Sequence, residues 1–179
     1  EDGTGSTTAA NAIPGGPVAE LKNMEPSTDW VAGRFGIGLD FDGTDHLSIM
    51  QDISESQNTV SMWIKSTSGG GFFSVNKANQ DGYNDRNVYL VGGDIYGRVY
   101  DTEIIDTSAS GIDFADGAWH HVVHQYGPPP NGAGKHNLYV DGVLRASGSK
   151  ASSDAVSQTH LNVGWANPPS FGGYFTGQI

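Results

Sequence analysis

Apolar and polar residues alternate in short segments along this chain, and residues 59–65 give the clearest case. Val60, Met62 and Ile64 occupy every second position of this segment, and Trp63 falls among the intervening residues. Because successive side chains of a β-strand point to opposite faces, the alternation predicts a strand that turns the three apolar residues toward a core. Trp63 is then predicted to lie on the opposite face of the same sheet.

Further short apolar segments recur between glycine- and proline-containing turns, and they predict a chain made of strands. The chain has 26 glycines and 8 prolines, and no long apolar segment has helical spacing. More than ten short strands without an interposed helix favour an all-β fold, a two-sheet antiparallel sandwich, over an α/β fold. The other predicted strands are 39–41, 47–49, 72–75, 88–91, 95–100, 119–126, 137–140, 143–146, 160–163 and 173–179.

The length of the chain and the composition of its N-terminal region limit the possible domain organisation. At 179 residues the chain suits a single domain over 1–179 with a sizeable core. Residues 1–34 are rich in small and polar residues, so we expect an irregular segment lying across the sandwich, with weak strand character only at 18–21. No apolar run reaches the roughly 20 residues that span a bilayer, and the N-terminus lacks the order of a signal peptide. We therefore expect a mature product or an excised module.

The charge balance is strongly acidic, which narrows the classes of partner. Nine lysines and arginines against twenty aspartates and glutamates give a formal net charge of −11. Such a chain repels the phosphates of nucleic acids and of anionic membranes, so neither is an expected partner. The chain has no cysteine, which removes disulfides and thiolate metal sites from consideration.

Three aspartates surround one predicted turn, and they are the candidate metal ligands. Asp40 and Asp42 share the face opposite the core, and Asp45 follows across the turn that contains Gly43. Carboxylate oxygens are the ligands that Ca²⁺ prefers, so a calcium site is one interpretation. The other interpretation is that the carboxylates only close the turn between two strands.

The histidines of the segment Trp119-His120-His121 do not predict a zinc site. Adjacent residues of a strand point to opposite faces, and His120 and His124 would lie about 13 Å apart along the strand. They cannot share one metal, so we expect a structural strand with Trp119 turned inward. Further along, Asp141-Gly142 predicts a tight hairpin turn after a strand.

Six segments, in this order and spacing, resemble the laminin-G-like jelly-roll family of bacterial secreted proteins, a concanavalin A-like fold. The resemblance implies two stacked, curved antiparallel sheets, and a binding or adhesion module at an extracellular or cell-surface location. Family members usually have a strand before the glycine-rich N-terminal segment and another after the final Gly-Gln-Ile, so we expect exposed sheet edges there. Either a partner copy supplies the missing strands through self-association at these edges, or the chain was trimmed during production or by proteolysis. The segments are GRFGIGLDFDGTDHLSI, VSMWIKS, FFSVNKANQDGYNDRNVYLVGGDIYGRV, DGAWHHVVHQY, NLYVDGVLRASG and YFTGQI.

The sequence lacks the carboxylate patterns of the enzymes that share this architecture. Enzymes that cleave β-glucans on this fold have Glu-x-Asp followed by Glu on one strand, which sets two carboxylates about 5 Å apart. None of the five glutamates has an aspartate two residues later. Asp101 and Glu103 form the nearest acidic pair, in the reverse order and without a second glutamate. We therefore expect no catalytic activity.

Loop aromatics with planar polar neighbours are the candidate ligand-binding residues, because sugars stack on aromatic faces and their hydroxyls accept hydrogen bonds from amides and guanidinium groups and donate them to carboxylates. Trp165 is expected to lie in a loop at the end of the sandwich and to stack on a glycan, although capping the sandwich is the alternative. The function predicted is a non-catalytic, calcium-assisted carbohydrate-binding module for a polysaccharide or glycan; the alternative is a structural or adhesion subunit. The remaining candidates are Asp81, Tyr83, Asp85, Arg86, Asn167 and Phe171, and Tyr96, Arg98 and Tyr100 alternate on one predicted strand.

Overall fold

A computed structural model describes residues 3–54, 56–77, 86–100, 102–127, 134–150, 158–167 and 172–179. Within these ranges it contains sixteen strands and a 3₁₀ turn at Ser108–Ser110. None of the described helical structure is long and apolar enough to cross a membrane. The strands are Thr8–Ala9 (β1), Ala19–Lys22 (β2), Trp30–Ala32 (β3), Ile37–Asp42 (β4), His46–Met50 (β5), Asn58–Asn76 (β6), Arg86–Val91 (β7), Asp94–Val99 (β8), Thr102–Asp106 (β9), Trp119–Tyr126 (β10), Lys135–Val140 (β11), Val143–Ser149 (β12), His160–Val163 (β13), Trp165–Ala166 (β14), Gly173–Tyr174 (β15) and Thr176–Gln178 (β16).

The strands form two sheets that share the long strand β6. Sheet I has the order β1-β2-β5-β13-β6-β7-β8-β9 and uses the second half of β6. Sheet II has the order β3-β4-β16-β6-β10-β11-β12 and uses the first half. All these pairings are antiparallel, and β15 alone pairs in parallel with β6, through Gly71. The prediction of an all-β, two-sheet antiparallel jelly-roll sandwich is confirmed.

Strand β6 passes from one sheet to the other through three consecutive glycines. The sequence predicted two separate strands at 59–65 and 72–75, whereas the structure has one strand over Asn58–Asn76. Gly69 and Gly70 have φ angles of 118° and 108°, a region that residues with a side chain rarely adopt. A Cβ atom on Gly70 would lie 2.1 Å from the carbonyl oxygen of Tyr174. The corner therefore needs glycine both for its backbone angles and for the close approach of the neighbouring chain.

The space between the sheets is filled by the apolar residues that the alternation marked. Ile64 is fully buried, and Val60 and Met62 pack against the same core. Trp63 lies on the outer face of sheet II, opposite His121 of β10, as predicted. Where the sheets meet at the corner, the rings of Phe41 and Phe72 both contact the ring of Phe175 edge-on, with centroids 6.2 Å apart in each pair.

Strand β10 turns histidines, and not its tryptophan, toward the core. His120 pairs with Ile64 across β6, so both side chains point inward, whereas Trp119 pairs with the outward Lys65. The prediction of an inward Trp119 is wrong, because the register that β10 takes against β6 decides which face is buried, and this register was not available from the segment itself. His124 follows His120 on the inward face and is also buried.

His120 is held between two aspartates of different loops. Its Nδ1 lies 2.8 Å from Asp141 Oδ2, and its Nε2 lies 3.1 Å from Asp116 Oδ1. Burial alone would lower the pKa of His120, but the bonds to Asp141 and Asp116 outweigh it and raise the pKa. Asp141 has a φ of 54° and Gly142 a φ of 77°, so the predicted Asp-Gly hairpin turn is present and also anchors this histidine.

The N-terminal region contributes strands to both sheets, which corrects the prediction of an irregular segment. Strand β2 pairs with β5 and carries β1 on its other side, at the edge of sheet I. Strand β3 pairs with β4 in sheet II, and the Trp30 indole N–H donates to the carbonyl oxygen of Ser6. The sequence pattern of these short strands is too polar to predict them clearly. They form because they pair with strands that are distant in the sequence.

Candidate functional site

The outer face of sheet I carries a row of polar side chains that crosses five strands. Glu20 pairs with Ser48, Ser48 with Asn162, Asn162 with Ser74, and Ser74 with Asn87. Directly paired residues of neighbouring strands present their side chains on the same face. Core residues occupy the alternate positions, so the row lies on the face opposite the core residues, where Ser74, Asn87 and Asn162 are themselves buried.

A pocket of about 340 Å³ lies at the β2-β5-β13 end of this row. It is lined by a carboxylate, two ammonium groups, a hydroxyl, an amide and two imidazoles. A second depression of about 320 Å³ shares Glu20, Ser48 and His160 with it and extends toward Pro17, Val18 and Met50. Met50 is 75% exposed, so the polar pocket continues into an apolar margin. The lining residues of the first pocket, called the sheet I pocket below, are Glu20, Lys22, His46, Ser48, Lys77, His160 and Asn162.

Hydrogen bonds fix several of the lining groups. Lys22 forms an ion pair with Glu20, which lowers the pKa of the Glu20 carboxyl. The Asn162 amide donates to Asn76 Oδ1 at 2.7 Å. His160 Nδ1 lies 2.9 Å from the hydroxyl of Thr159. These bonds hold the side chains in defined positions before any ligand arrives, which reduces the entropy lost on binding.

His46 is the buried lining residue with unmet hydrogen-bonding capacity. It is 8% exposed, and its Nδ1 has no hydrogen-bond partner among the residues that the structure describes. Burial, together with the nearby Lys22, lowers the pKa of His46 to about 4, so the ring is neutral at neutral pH. The ring of Tyr174 lies 5.8 Å away and flanks it. A buried polar atom without a partner is costly, and a ligand hydroxyl that reached it would recover that cost.

Two of the three described residues predicted to contact a glycan, Trp165 and Arg86, are buried, whereas Asn167 is partly exposed. Trp165 lies in strand β14 and is 4% exposed, because β14 pairs with β15 and packs against the glycine corner of β6. Arg86 is 1% exposed and points inward, with its guanidinium 4.5 Å from the ring centre of Tyr126. The backbone N–H of Asn167 donates to Asn87 Oδ1 on the outer face of sheet I. The other four candidates, Asp81, Tyr83, Asp85 and Phe171, lie outside the described residues.

The three candidate calcium ligands surround the β4–β5 turn, and two of them close it. Asp42 Oδ1 accepts from the backbone N–H and the hydroxyl of Thr44, at 2.8 and 2.7 Å. Asp45 Oδ2 accepts from the backbone N–H of Asp42 at 3.1 Å. The bonds from Thr44 lower the pKa of Asp42, whereas burial raises the pKa of Asp45. Asp40 lies two residues before Asp42 on β4, and its side chain is exposed. In the described part of the chain, no three His, Asp or Glu side chains gather as a metal ion would require.

The acidic residue nearest to a catalytic pattern has structural partners. Glu103 Oε1 accepts from the hydroxyl of Tyr89 at 2.9 Å and forms an ion pair with Arg98. Tyr96 stacks on Tyr89, with ring centres 5.5 Å apart. Tyr96 and Arg98 share the outer face of sheet I, as their alternation predicted, and Asp101 is outside the described residues.

A second surface, on the outer face of sheet II, is aromatic. Trp63 stacks on His121 with ring centres 4.9 Å apart, and Phe35 meets Trp63 edge-on at 5.5 Å. The Arg34 guanidinium lies 4.8 Å from the ring centre of Phe35 and 5.2 Å from that of Trp63. Phe35 and Ile37 are 70% and 60% exposed. The groove beside this aromatic surface measures about 190 Å³, which is less than the sheet I pocket.

The sequence did not mark the sheet I pocket as a site. Its residues come from 20–22, 46–48, 77 and 160–162, and each short segment only shows ordinary polar positions of a strand. The sequence contained one indication: His46, Ser48 and His160 share a face of the sheet, and the core residues Leu47 and Leu161 lie on the opposite face. That signal becomes a site only once β2, β5 and β13 are known to be neighbours.

The family of the chain follows from a comparison over most of its length. A family model described as the concanavalin A-like lectin/glucanases superfamily, in its laminin G form, matches residues 41–179. The chain belongs to this family, and the resemblance drawn from the six segments is confirmed. A comparison with curated proteins found no match.

Solved structures with a similar fold include three binding domains. The first is domain 4 of AbnA, an extracellular arabinanase of Geobacillus stearothermophilus, in complex with arabinotriose: identity is 19%, the TM-score is 0.54, and the match covers 84% of this chain and 75% of that one. The second is the CBM40 of a Ruminococcus gnavus sialidase, at 15% identity, a TM-score of 0.54, and coverage of 79% and 85%. The third is the binding domain of botulinum neurotoxin serotype C1, at 12% identity and a TM-score of 0.56, covering 89% of this chain but 39% of that one. At these identities the likeness establishes the fold.

Proposed function

We propose that this chain is a non-catalytic carbohydrate-binding domain of an extracellular protein, and that the sheet I pocket is its binding site. The observation that carries the proposal is the collection of fixed hydrogen-bonding groups in one pocket beside an apolar margin. Sugars present hydroxyl groups around the ring edge and C–H groups on the ring faces. Glu20, Ser48 and His160 suit the hydroxyls, and Val18 and Met50 suit a ring face.

The similar structures support this proposal through the ligands that their names mention. The arabinanase domain was solved with arabinotriose, and the CBM40 belongs to a sialidase. A further neurotoxin binding domain, at 14% identity, was solved with a sialylated glycan. These ligands are those of the other proteins, and they make a glycan the first class of ligand to test on this chain.

The composition of the pocket supports binding without catalysis. Glycoside hydrolysis needs two carboxyl groups on opposite sides of the scissile bond, about 5 to 9 Å apart. Among the described residues that line the pocket, Glu20 supplies one carboxylate, and it is engaged by Lys22. The lining therefore fits a site that holds a glycan and leaves it intact.

A substitution in the pocket should weaken glycan binding and leave the fold intact. We expect His160→Ala to weaken binding by about ten-fold, the loss that one or two hydrogen bonds to a ligand would cause. The measurement is retardation on a panel of polysaccharide gels, followed by titration calorimetry with the glycan that binds. The melting temperature should change little, since the His160 side chain lies on an outer face.

The matched control is Trp63→Ala on the aromatic surface of sheet II. It removes a larger side chain from the opposite side of the sandwich, and we expect unchanged glycan affinity. Loss of binding in Trp63→Ala with normal binding in His160→Ala would move the site to sheet II and contradict the proposal. If no glycan in the panel binds even at millimolar concentration, the alternative function, a structural or adhesion subunit, replaces the proposed carbohydrate binding.

The alternative function, a structural or adhesion subunit, has one supporting observation. On the side of β6 that faces β4, no described strand pairs with residues 58–64, because β16 pairs with β6 only at Lys65 and Gly69. An unpaired strand edge beside exposed Phe35 and Ile37 is a template for adding another strand. Self-association through this edge would appear as a concentration-dependent sedimentation coefficient.

Calcium binding at the β4–β5 turn remains part of the proposal, and it has a separate test. At a concentration about 100 times its Kd, Ca²⁺ should stabilise the folded state by roughly 2.7 kcal/mol, and EDTA should remove this gain. Asp42→Asn keeps the shape of the side chain and should abolish the response to Ca²⁺. Identical melting curves with Ca²⁺ and with EDTA would leave Asp42 and Asp45 as residues that only close the turn.

A further inference from the structure

The three methionines of the chain differ in how far solvent reaches them. Met24 is 7% exposed, and Met62 is half-buried and packs against the core. Met50 is 75% exposed, the highest value among the large apolar residues that the structure describes. Because the sequence has three methionines and no cysteine, these residues carry its only sulfur atoms. Oxidants that attack sulfur therefore reach Met50 most easily.

Met50 lies at the edge of the proposed binding site. It pairs with His160 between β5 and β13, and directly paired residues present their side chains on the same face. Both residues line the second depression, which shares Glu20 and Ser48 with the sheet I pocket. Val18, which is 49% exposed, lines the same depression. The Met50 thioether is thus part of the apolar margin on which a sugar ring face would rest.

Oxidation would change the chemistry of this margin. The Met50 sulfur attacks one oxygen of hydrogen peroxide, the O–O bond breaks, and the other oxygen leaves as water after taking the proton of the transferred oxygen. The sulfur loses two electrons, and the peroxide gains them. The product, methionine sulfoxide, replaces an apolar thioether by a polar group. Covering that polar group with the C–H face of a sugar removes its hydration without a compensating hydrogen bond, which costs free energy.

We propose that Met50 is an oxidation site through which peroxides weaken ligand binding at the sheet I pocket. This proposal rests on the proposed function and adds a means of regulating it. Methionine sulfoxide is reduced back to methionine by methionine sulfoxide reductases, one enzyme for each epimer of the sulfoxide. The change in affinity is therefore reversible.

The first measurement locates the oxidation and needs no glycan. The intact protein is treated with dilute hydrogen peroxide, and peptide mass spectrometry follows the gain of one oxygen atom at each methionine over time. We expect Met50 to react about ten-fold faster than Met24 or Met62, because its side chain is the most exposed. Equal rates at the three methionines would overturn the proposal at this step.

The second measurement is the affinity of the singly oxidised protein. Titration calorimetry uses the glycan that binds the untreated protein most tightly, from a panel that includes arabinotriose and sialyllactose. We expect oxidation to weaken binding about five-fold, the effect of losing part of one apolar contact. Treatment with both reductases should restore the affinity of the untreated protein.

Two variants test whether Met50 is the cause. In Met50→Leu the margin stays apolar but has no oxidisable sulfur, so the ratio of affinities before and after peroxide should be one. Adding Leu144→Met to this variant places a thioether on sheet II, where Leu144 is 50% exposed. Peroxide should oxidise that thioether and again leave the ratio at one. A falling affinity in either variant would place the sensitivity outside Met50.

The outcomes separate this proposal from the proposed function. Preferential oxidation of Met50 with unchanged or tighter glycan binding overturns the regulation and keeps the glycan-binding function. Absence of binding by every glycan before oxidation overturns both, even where Met50 is the residue that reacts first.

Discussion

Replacing Gly70 with alanine should destabilise the domain by more than about 4 kcal/mol, which is a large part of the 5 to 15 kcal/mol that folded domains typically possess. The new Cβ would lie 2.1 Å from the carbonyl oxygen of Tyr174 and 2.6 Å from the Cα of Phe175. Both contacts are with backbone atoms. Because the Phe175 side chain is fully buried in the core, the segment that joins β15 to β16 cannot move away without opening the core. The φ of 108° adds strain of its own.

The measurement is urea unfolding followed by tryptophan fluorescence, with Gly92→Ala as the matched control. Gly92 also has a positive φ, 62°, but a Cβ there would have no atom within 4 Å. Gly92→Ala should therefore lower the free energy of unfolding by only about 1 kcal/mol, which is the penalty of the backbone angle alone. If Gly70→Ala cost no more than Gly92→Ala, the close passage of β15 and β16 past the corner of β6 would not be a feature of the folded protein.

Acid should unfold the domain through the two histidines buried between the sheets. His136 Nε2 donates to the carbonyl oxygen of Lys150, so its Nδ1 is left to accept from His124 Nε2 at 3.2 Å. This chain of bonds requires both rings to be neutral. Burial lowers the pKa of His124 to about 3 and that of His136 to about 4, and the nearby Arg86 adds to both effects.

The sign of the effect follows from where protons bind. In the unfolded chain both histidines titrate near pH 6.5, so below that pH the unfolded state takes up protons that the folded state refuses. Stability should be constant with respect to these groups above about pH 6.5 and fall below it, by on the order of 2 kcal/mol for each histidine at about pH 4.5. The raised pKa of His120 acts in the opposite direction, but its gain develops as pH falls toward about 6.5 and is constant below it, whereas His46, whose pKa burial lowers to about 4, adds a loss of the same sign below pH 6.5.

Urea unfolding at a series of pH values measures this loss, and His124→Gln isolates its origin. The glutamine amide can still donate to His136 but takes up no proton, so the variant should resist acid better than the natural chain relative to its own stability at neutral pH. His121→Gln, on the outer face of sheet II, removes a histidine of the same strand and should leave the acid response unchanged. An acid midpoint unaffected by His124→Gln would place the sensitivity elsewhere.

The class of fold was available from the sequence because it depends on local patterns. Alternation at Val60, Met62 and Ile64 marks one face of a strand wherever that strand lies. The Asp141-Gly142 turn was predicted because its positive backbone angles limit which residues can occupy it. Even the outward position of Trp63 followed from the alternation.

The errors concern facts that depend on partners distant in the sequence. Trp119 was expected to point inward, but pairing of β10 with β6 turned His120 inward. Trp165 was expected in an exposed loop because prolines and an asparagine follow it, but β15 and the glycine corner bury it. In residues 3–34, β1 and β3 were missed and β2 was marked only by weak strand character at 18–21, because these strands are supported by β2, β4 and β5.

The sequence by itself determined the all-β class and most strands through local periodicity and turn residues, and it indicated the family through the resemblance of six segments. Only the tertiary structure decided the candidate site. Glu20, Ser48 and Asn162 are far apart along the chain and become one row through the register of β2, β5 and β13. A binding surface built from single positions of several strands has no local signature, because strand pairing brings its members together and the sequence does not record which strands pair.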